Sequence, residues 1–420
     1  MRIKYLDLFC GIGGFHQGIE RYCNEINIES QCIFAADNNI SAANVYEDTY
    51  GIYAYYDMSS EDTHNAIDQA IEQTTFEEDD IFMVVGGFPC QAFSKAGKQE
   101  GFSDATKGTL FHEVLSIVRR HNPHMVLLEN VRNILSHDNK KTWELIKLSL
   151  EESGYFVDVD IISPNSISDI PALRERTFIM CYSTEHYLPN NLRSIKEVHN
   201  RKRFYPTSIY NEDSQLRNDY FAEEEIDSDI EDIKVQILDM WDDFHHRIIE
   251  SGGKMISPIW TKYFNDEEIS KADPEWKIKL ISKNKLFYKN NKKVINEWQK
   301  KYSKLWKEIN DSNKKFEWNA GDSINSVWEG IIQFRPSGVR VKRPNYIPTL
   351  VAINQRPILG IEKRYLNYSE MAELYGFVGL VFERNQEEDC YRQLGNTVSV
   401  DVVKYVLGFM MENIEGENNG

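Results

Sequence analysis

Six short apolar runs recur through the first 182 residues, and their alternation with amphipathic stretches most constrains the fold. The runs are Ile3–Phe9, Cys32–Ala36, Ile81–Val85, Met125–Leu128, Val157–Ile162 and Thr177–Tyr182. Candidate helices lie between them, such as Leu110–Arg120 and Lys141–Ser153. Strand-length runs alternating with helices predict a parallel, doubly wound α/β sheet. After Tyr182 the pattern lapses into an acidic stretch, Glu223-Glu224-Glu225 and then Asp227 through Asp232, which reads as a solvated connector. Further on, Val294, Ile295, Trp298, Tyr302, Leu305 and Ile309 recur at helical spacing among lysines, a stripe that predicts core packing rather than a binding face.

Charge divides the chain the same way. Its 420 residues exceed a typical single domain, so two domains, or one carrying a large insertion, are expected. The net charge of −18 alone disfavours a polyanionic partner, because phosphate binding needs a basic surface. That total is an average. Residues 1–180 carry −14, residues 181–250 carry −8, residues 251–350 carry +9 and residues 351–420 carry −5. Seven of the eight tryptophans lie in or beside the basic stretch. It is either a lysine-coated subdomain with a tryptophan core or a polyanion-binding region. No apolar run approaches the roughly 18 residues of a membrane span, so no membrane association is expected. Six cysteines without CxxC spacing indicate neither a disulfide framework nor a metal site. The N-terminus opens directly into a strand-like run, without a secretory signal, so a reducing, cytoplasmic setting is expected.

The first run ends in Asp7-Leu8-Phe9-Cys10-Gly11-Ile12-Gly13-Gly14-Phe15. Glycines after a first strand let the backbone approach a ligand, but His16 stands where a dinucleotide loop wants its third glycine. Asp37 ends the next run, where a ribose hydroxyl pair would sit, and Asp57 follows in the next connection. Glycine turn, ribose acid and later acid suit a nucleoside without phosphates, of which S-adenosylmethionine is one. Each acid alone could equally cap a helix. Ile81–Val85 runs into Gly86-Gly87-Phe88-Pro89-Cys90-Gln91-Ala92-Phe93-Ser94, which places a thiol at the carboxyl end of a strand. Residues 91–108 then read as a long loop of the kind that forms lids. Glu129-Asn130-Val131 ends the next apolar run; a carboxylate there is costly unless paired or used, the plainer reading being a helix cap. Arg174-Glu175-Arg176 precedes the sixth run, and a spacing of two points both guanidiniums to one face.

Together these residues resemble the C5-cytosine-specific DNA methyltransferase family of prokaryotic restriction–modification systems. The ordered segments are 7–15, 86–94, 129–131, 174–176, 364–377 and Gly395-Asn396-Thr397-Val398-Ser399, with Thr349-Leu350 similar to a Thr-Leu step of the family's target recognition domain. The resemblance implies a Rossmann-like S-adenosylmethionine-dependent methyltransferase domain carrying a large inserted target recognition domain. It divides the chain into 1–184, 185–378 (with the basic insert 251–350) and a returning segment 379–420. Cys90 would be the nucleophile, Glu129 would act at cytosine N3, and Arg176 with Arg174 would hold O2. Phe9, Gly11, Gly13, Gly14, Asp37, Asp57, Pro89, Leu110, Asn396 and Val398 match positions around the methyl donor, S-adenosyl-L-methionine. Gln91, Ser94, Lys98, Arg340, Lys342, Arg343 and Thr349 are the candidate contacts to double-stranded DNA. A monomer is implied, along with a cognate restriction endonuclease that shares the DNA site and need not bind this chain. Asp37 departs from the family's more usual glutamate, and Ala172 from its glutamine. A tRNA cytosine-5 methyltransferase of the same family is the alternative, weighed down by the domain-sized insert. A non-catalytic DNA-binding regulator is a third, opposed by Cys90, Glu129 and Arg176.

Overall fold

The computed structural model describes residues 1–89, 110–188, 192–210, 229–265, 274–350 and 356–415. Cys90, Gln91, Ser94, Lys98 and the expected lid at 91–108 lie outside them. The chain forms two compact units, the first comprising residues 1–204, 349–353 and 371–420, the second 205–348 and 354–370. This differs from the division at 184 and 378 expected from sequence. Residues 185–204 and 371–378 pack with the first unit, and the chain crosses between units more often than one insertion requires.

The first unit is built on a six-stranded sheet. Its strands are β1 (Arg2–Leu8), β2 (Glu29–Ala36), β3 (Ile81–Gly86), β4 (Met125–Val131), β5 (Tyr155–Ile162) and β6 (Arg176–Ser183), in the spatial order β2-β1-β3-β4-β6-β5. The first four are parallel, as their apolar runs predict. β6, however, runs antiparallel to both β4 and β5, so the sheet is mixed rather than wholly parallel. The cause lies in the β5–β6 connection, where a single short 3-10 turn at Pro164–Ser166 supplies no crossover helix to carry the chain back.

Burial on both faces explains why these strands read as continuous apolar runs. Ile3, Tyr5, Met83, Val85, Met125 and Leu127 face one cluster with the helices Gly14–Glu25 and Val400–Glu415. Leu6, Leu8, Val84, Val126 and Leu128 face the other, which takes Phe111, Val114 and Leu115 from helix Leu110–His121 and Ile146 and Leu150 from helix Lys141–Glu151. Successive side chains therefore alternate between two cores.

The second unit holds β7 (Ile259–Trp260), β8 (Lys315–Asn319), β9 (Ile331–Arg335), β10 (Gly338–Lys342), β11 (Ile358–Leu359) and β12 (Arg364–Tyr365), ordered β12-β11-β9-β10-β8-β7. Its core is aromatic. Trp241 stacks on Phe316 at 4.7 Å, and the buried indoles of Trp241 and Trp298 donate to the carbonyls of Asn313 and Met240. Ile295, Trp298, Leu305 and Ile309 are buried in that core with Val294 and Tyr302 packed against it, so the 294–309 stripe is packing. It is carried by two helices, Lys292–Lys301 and Leu305–Glu308. Among the described residues no helix is long and apolar enough to cross a membrane.

One polar group sits against this economy. Asp7, within β1, is fully buried, and the Tyr46 hydroxyl donates to its Oδ2 at 3.2 Å while lying 2.7 Å from His16 Nδ1. Burial pushes the Asp7 carboxyl up to about 8, against the lowering effect of the Tyr46 hydrogen bond. An unfolded aspartate ionises near about 3.9. Between those values the unfolded chain has lost a proton that the folded chain keeps, so the group costs stability as pH rises. Asp7→Asn is therefore expected to match the wild type in urea unfolding near pH 4 and to exceed it increasingly towards pH 8. A gap that does not widen with pH would contradict the protonated state of Asp7.

Candidate active site

Parallel strands end on one edge of a sheet, and that geometry assembles the candidate residues of the first unit. The turn Phe9–Gly13 follows β1, Asp37 follows β2, Gly87-Phe88-Pro89 follows β3, and Glu129-Asn130-Val131 closes β4. Because β6 runs the other way, its first residue, Arg176, meets the same edge opposite Val131. The antiparallel strand thus delivers a cation to the end where the parallel strands deliver carboxylates.

The turn after β1 is strained and tight. Phe9, Gly11 and Gly13 all take positive φ, 55°, 55° and 86°. A Cβ on Gly13 would lie 2.3 Å from the ring of Tyr50, so that position is closed to any larger residue. A Cβ on Gly11 would meet nothing within 4 Å, so the turn borders open space there. Behind it Gly14 packs on Val398, whose Cγ1 would stand 2.6 Å from an added Cβ. Asp37 fastens the turn from the side: its Oδ2 accepts from the Gly11 amide at 2.9 Å and its Oδ1 from the Asn39 amide at 2.8 Å. Burial raises the Asp37 carboxyl above its usual range, and those two amides oppose the shift. Asp57 is exposed and its Oδ1 accepts from both the amide and the hydroxyl of Ser59, which hold its carboxyl below the usual range. Leu110 and Phe9 are half-buried against the second core cluster, Pro89 is exposed, and Asn396 is exposed at the end of helix Glu387–Asn396.

Glu129 and Arg176 form the charged centre. Arg176 Nε lies 2.9 Å from Glu129 Oε1 in an ion pair with both side chains largely buried. Burial pushes the Glu129 carboxyl up, opposed by Arg176 and then Arg174. Burial and the neighbouring Arg174 bring the Arg176 guanidinium down to about 10, opposed by Glu129. Desolvation thus works against the charge on both partners, and the attraction between them opposes it, as in buried ion pairs generally. Asn130 does not cap a helix. Its amide donates to the Phe88 carbonyl at 2.7 Å and its oxygen accepts from the Val131 amide, which holds the segment leading to Cys90. Composition hinted at this, since a buried amide at the end of an apolar strand must find partners.

Arg174 has a different place from the one its spacing suggested. It precedes β6, so strand alternation does not govern it, and its side chain turns into the interior with 1% exposure. Its guanidinium donates to the carbonyls of Gly395, Thr397 and Leu350 and lies 4.9 Å from the ring of Tyr375. Its contacts are those of a positioning residue, while its charge still acts on Glu129 and Arg176. Thr349, a candidate DNA contact, likewise donates its hydroxyl to the Leu173 carbonyl. Arg340, Lys342 and Arg343 lie in the second unit, on and just after β10.

Removing Arg174 strips those carbonyls of their donor at a cost of about 1–3 kcal/mol for each one left bare. Arg174→Met is accordingly expected to lower the urea midpoint markedly. An unchanged midpoint would show that the clamp contributes nothing.

The family model described as C-5 cytosine-specific DNA methylase matches residues 3–412. The chain is 26% identical to Type II methyltransferase M.AluI of Cellulosimicrobium cellulans, over 97% of this chain and 91% of that protein. It is 34% identical to Type II methyltransferase M.HhaI of Haemophilus parahaemolyticus, over 44% of this chain and 51% of that one. It is 38% identical to Type II methyltransferase M.BanI of Aneurinibacillus aneurinilyticus, over 43% of this chain and 38% of that one. The chain thus spans about half or less of the latter two. Among solved structures, a Spodoptera frugiperda DNMT2 mutant aligns over 97% of this chain and 99% of its own with a TM-score of 0.51 at 16% identity. Entamoeba histolytica methyltransferase EhMeth aligns over 99% of both chains with a TM-score of 0.50 at 15% identity. These likenesses speak to the fold alone. A match across nearly the whole length, on a sheet whose edge gathers Glu129, Arg176 and the glycine turn, places the chain in the C-5 cytosine-specific DNA methylase family.

Proposed function

We propose that this protein methylates C5 of a cytosine flipped out of a specific duplex DNA sequence, as the modification enzyme of a restriction–modification system. The observation that carries the proposal is the buried Glu129–Arg176 pair at the strand edge, next to the Phe88 carbonyl held by Asn130 two residues before Cys90. The match to M.AluI over nearly the full chain supports DNA over tRNA as substrate.

S-adenosyl-L-methionine, when bound, supplies an electrophilic methyl group on a sulfonium. The turn after β1 fits such a nucleoside. Open space beside Gly11 admits it, the Asp37 carboxylate stands where ribose hydroxyls would donate, and Asp37 with Asp57 would repel a phosphate. Phe9, Gly13, Gly14, Pro89, Leu110, Asn396 and Val398 complete the proposed donor site.

A stacked base cannot reach a strand edge, so the target cytosine leaves the helix. Cys90 as thiolate adds to C6, forming the S–C6 bond and moving the ring electron pair toward N3 and O2. Glu129 places a proton at N3, the role its raised carboxyl suits, while Arg176 orients Glu129 and holds O2. C5 gains enamine character and would attack the sulfonium methyl carbon, the S–CH3 bond breaking to leave a neutral thioether. Loss of the C5 proton to a base, with expulsion of the Cys90 thiolate and return of the N3 proton to Glu129, restores the aromatic ring. Gln91, Ser94 and Lys98 are proposed to contact the DNA beside the flipped base. A monomer in the cytoplasm, paired genetically with an endonuclease of the same specificity, completes the reading.

Incubation with labelled donor and duplex DNA, followed by bisulfite sequencing, is expected to show methylation at one sequence. Glu129→Gln should lower the transfer rate by about 10²–10⁴-fold, the usual contribution of a positioned acid or base. A folded wild type that transfers no methyl group to any duplex would overturn the reading.

A further inference from the structure

A groove of about 500 Å³ in the second unit takes no part in the chemistry above. Tyr205, Asn319, Arg340, Lys342, Arg343 and Tyr346 line it. The parallel pairing of β10 with β8 sets Arg340 opposite Glu317, and Arg340 Nε donates to that carboxylate at 2.6 Å. Arg335, on β9, also approaches Glu317, at 3.8 Å. One acid therefore serves two arginines, and the charges of Lys342 and Arg343 are left over.

Those two are held in place rather than loose. Lys342 is half-buried, donates to the Tyr346 hydroxyl at 2.8 Å and lies 4.7 Å from that ring. Arg343 is exposed, and its Nε donates to the Ala320 carbonyl at 3.0 Å. A neutral phenol and a carbonyl orient both cations without cancelling them. An excess of fixed positive charge in a concave polar site asks for an anion, and the tyrosines and Asn319 offer further polar contacts at its rim.

We propose that this groove binds a backbone phosphate of the DNA duplex, with Lys342 and Arg343 as its donors and Arg340 as scaffold. This rests on the reading of the protein as a DNA methyltransferase and decides which of its basic residues grip the backbone. A phosphodiester fits better than a base edge, because a base would leave the surplus charge unanswered. Lys342 then reports occupancy. Burial, with Arg340 and Arg335 adding repulsion, brings its ammonium down to about 8, against smaller opposing effects of Tyr205 and Glu317; Tyr346 and Arg343 also face it. A bound phosphate reverses that bias, so binding above pH 8 draws a proton onto the lysine.

The test is duplex binding by fluorescence anisotropy across a salt series, using a labelled duplex of arbitrary sequence. Lys342→Met is expected to bind about tenfold more weakly at low salt, the worth of one charge-assisted contact. Its log–log salt slope should fall by about one. Lys342→Arg should keep both. Calorimetry of the wild type near pH 8.5, in buffers of different ionisation heat, should register proton uptake on binding, a readout that needs no variant to fold. The proposal is overturned if folded Lys342→Met keeps the wild-type slope, if it loses discrimination among sequences at unchanged slope, or if the wild type takes up no proton. A wild type that methylates duplex DNA yet gives those results would sink the groove and leave the enzymatic reading standing. A wild type that binds no duplex would sink both.

Discussion

A single buried cation holds the catalytic unit's return segments in register. Arg174 lies in the connection between β5 and β6, yet its partners Leu350, Gly395 and Thr397 come from parts of the chain 176, 221 and 223 residues away. A guanidinium removed from water forfeits stability for each donor left bare, and these carbonyls satisfy its two terminal nitrogens while its Nε stays buried without a hydrogen-bond partner. The chain leaves the first unit after residue 204 and comes back at 349–353 and again from 371. Arg174 fastens both returns to the sheet. Two residues on, the same strand start presents Arg176 to Glu129, so the clamp lies beside that ion pair in the chain.

That pair gathers its character from burial. Burial disfavours charge on both Glu129 and Arg176, and the opposite charge of each offsets that cost for the other. A carboxyl biased toward holding its proton is what a ring nitrogen awaiting protonation requires. Asn130 next door spends its amide on the Phe88 carbonyl, which ties the end of β3 to the end of β4. The backbone therefore sets the spacing between Glu129 and the segment that leads to Cys90.

Much of this was legible in the residues, and the exceptions have physical reasons. The strands announced themselves because sheet burial on both faces makes most positions of β1, β3 and β4 apolar, with Lys4, Asp7, Glu129 and Asn130 as buried polar exceptions. The glycine turn was readable because only glycine tolerates Tyr50 against Gly13. The direction of β6 was not, since apolar content is blind to strand polarity. Arg174 was misplaced because its partners are backbone carbonyls, which carry no side-chain signature. The tryptophan-rich basic stretch held two meanings at once. Trp241 and Trp298 belong to the core, whereas Lys342 and Arg343 stand around a polar groove. Charge summed along the chain cannot separate these, because burial sorts residues one at a time. The unit boundaries were hidden for a related reason: segments 349–353 and 371–378 differ little in composition from their neighbours and are assigned only by what they pack against.

The account turns on a covalent bond between Cys90 and the target base. Duplex DNA carrying 5-fluorocytosine in place of cytosine cannot lose a proton from C5, so release of the thiolate is blocked. Incubation of the wild type with this DNA and S-adenosylmethionine, followed by proteolysis and mass spectrometry, should yield a stable adduct mapped to Cys90 that carries the transferred methyl group. Unmodified Cys90 in a protein that methylates ordinary duplex DNA would contradict the mechanism.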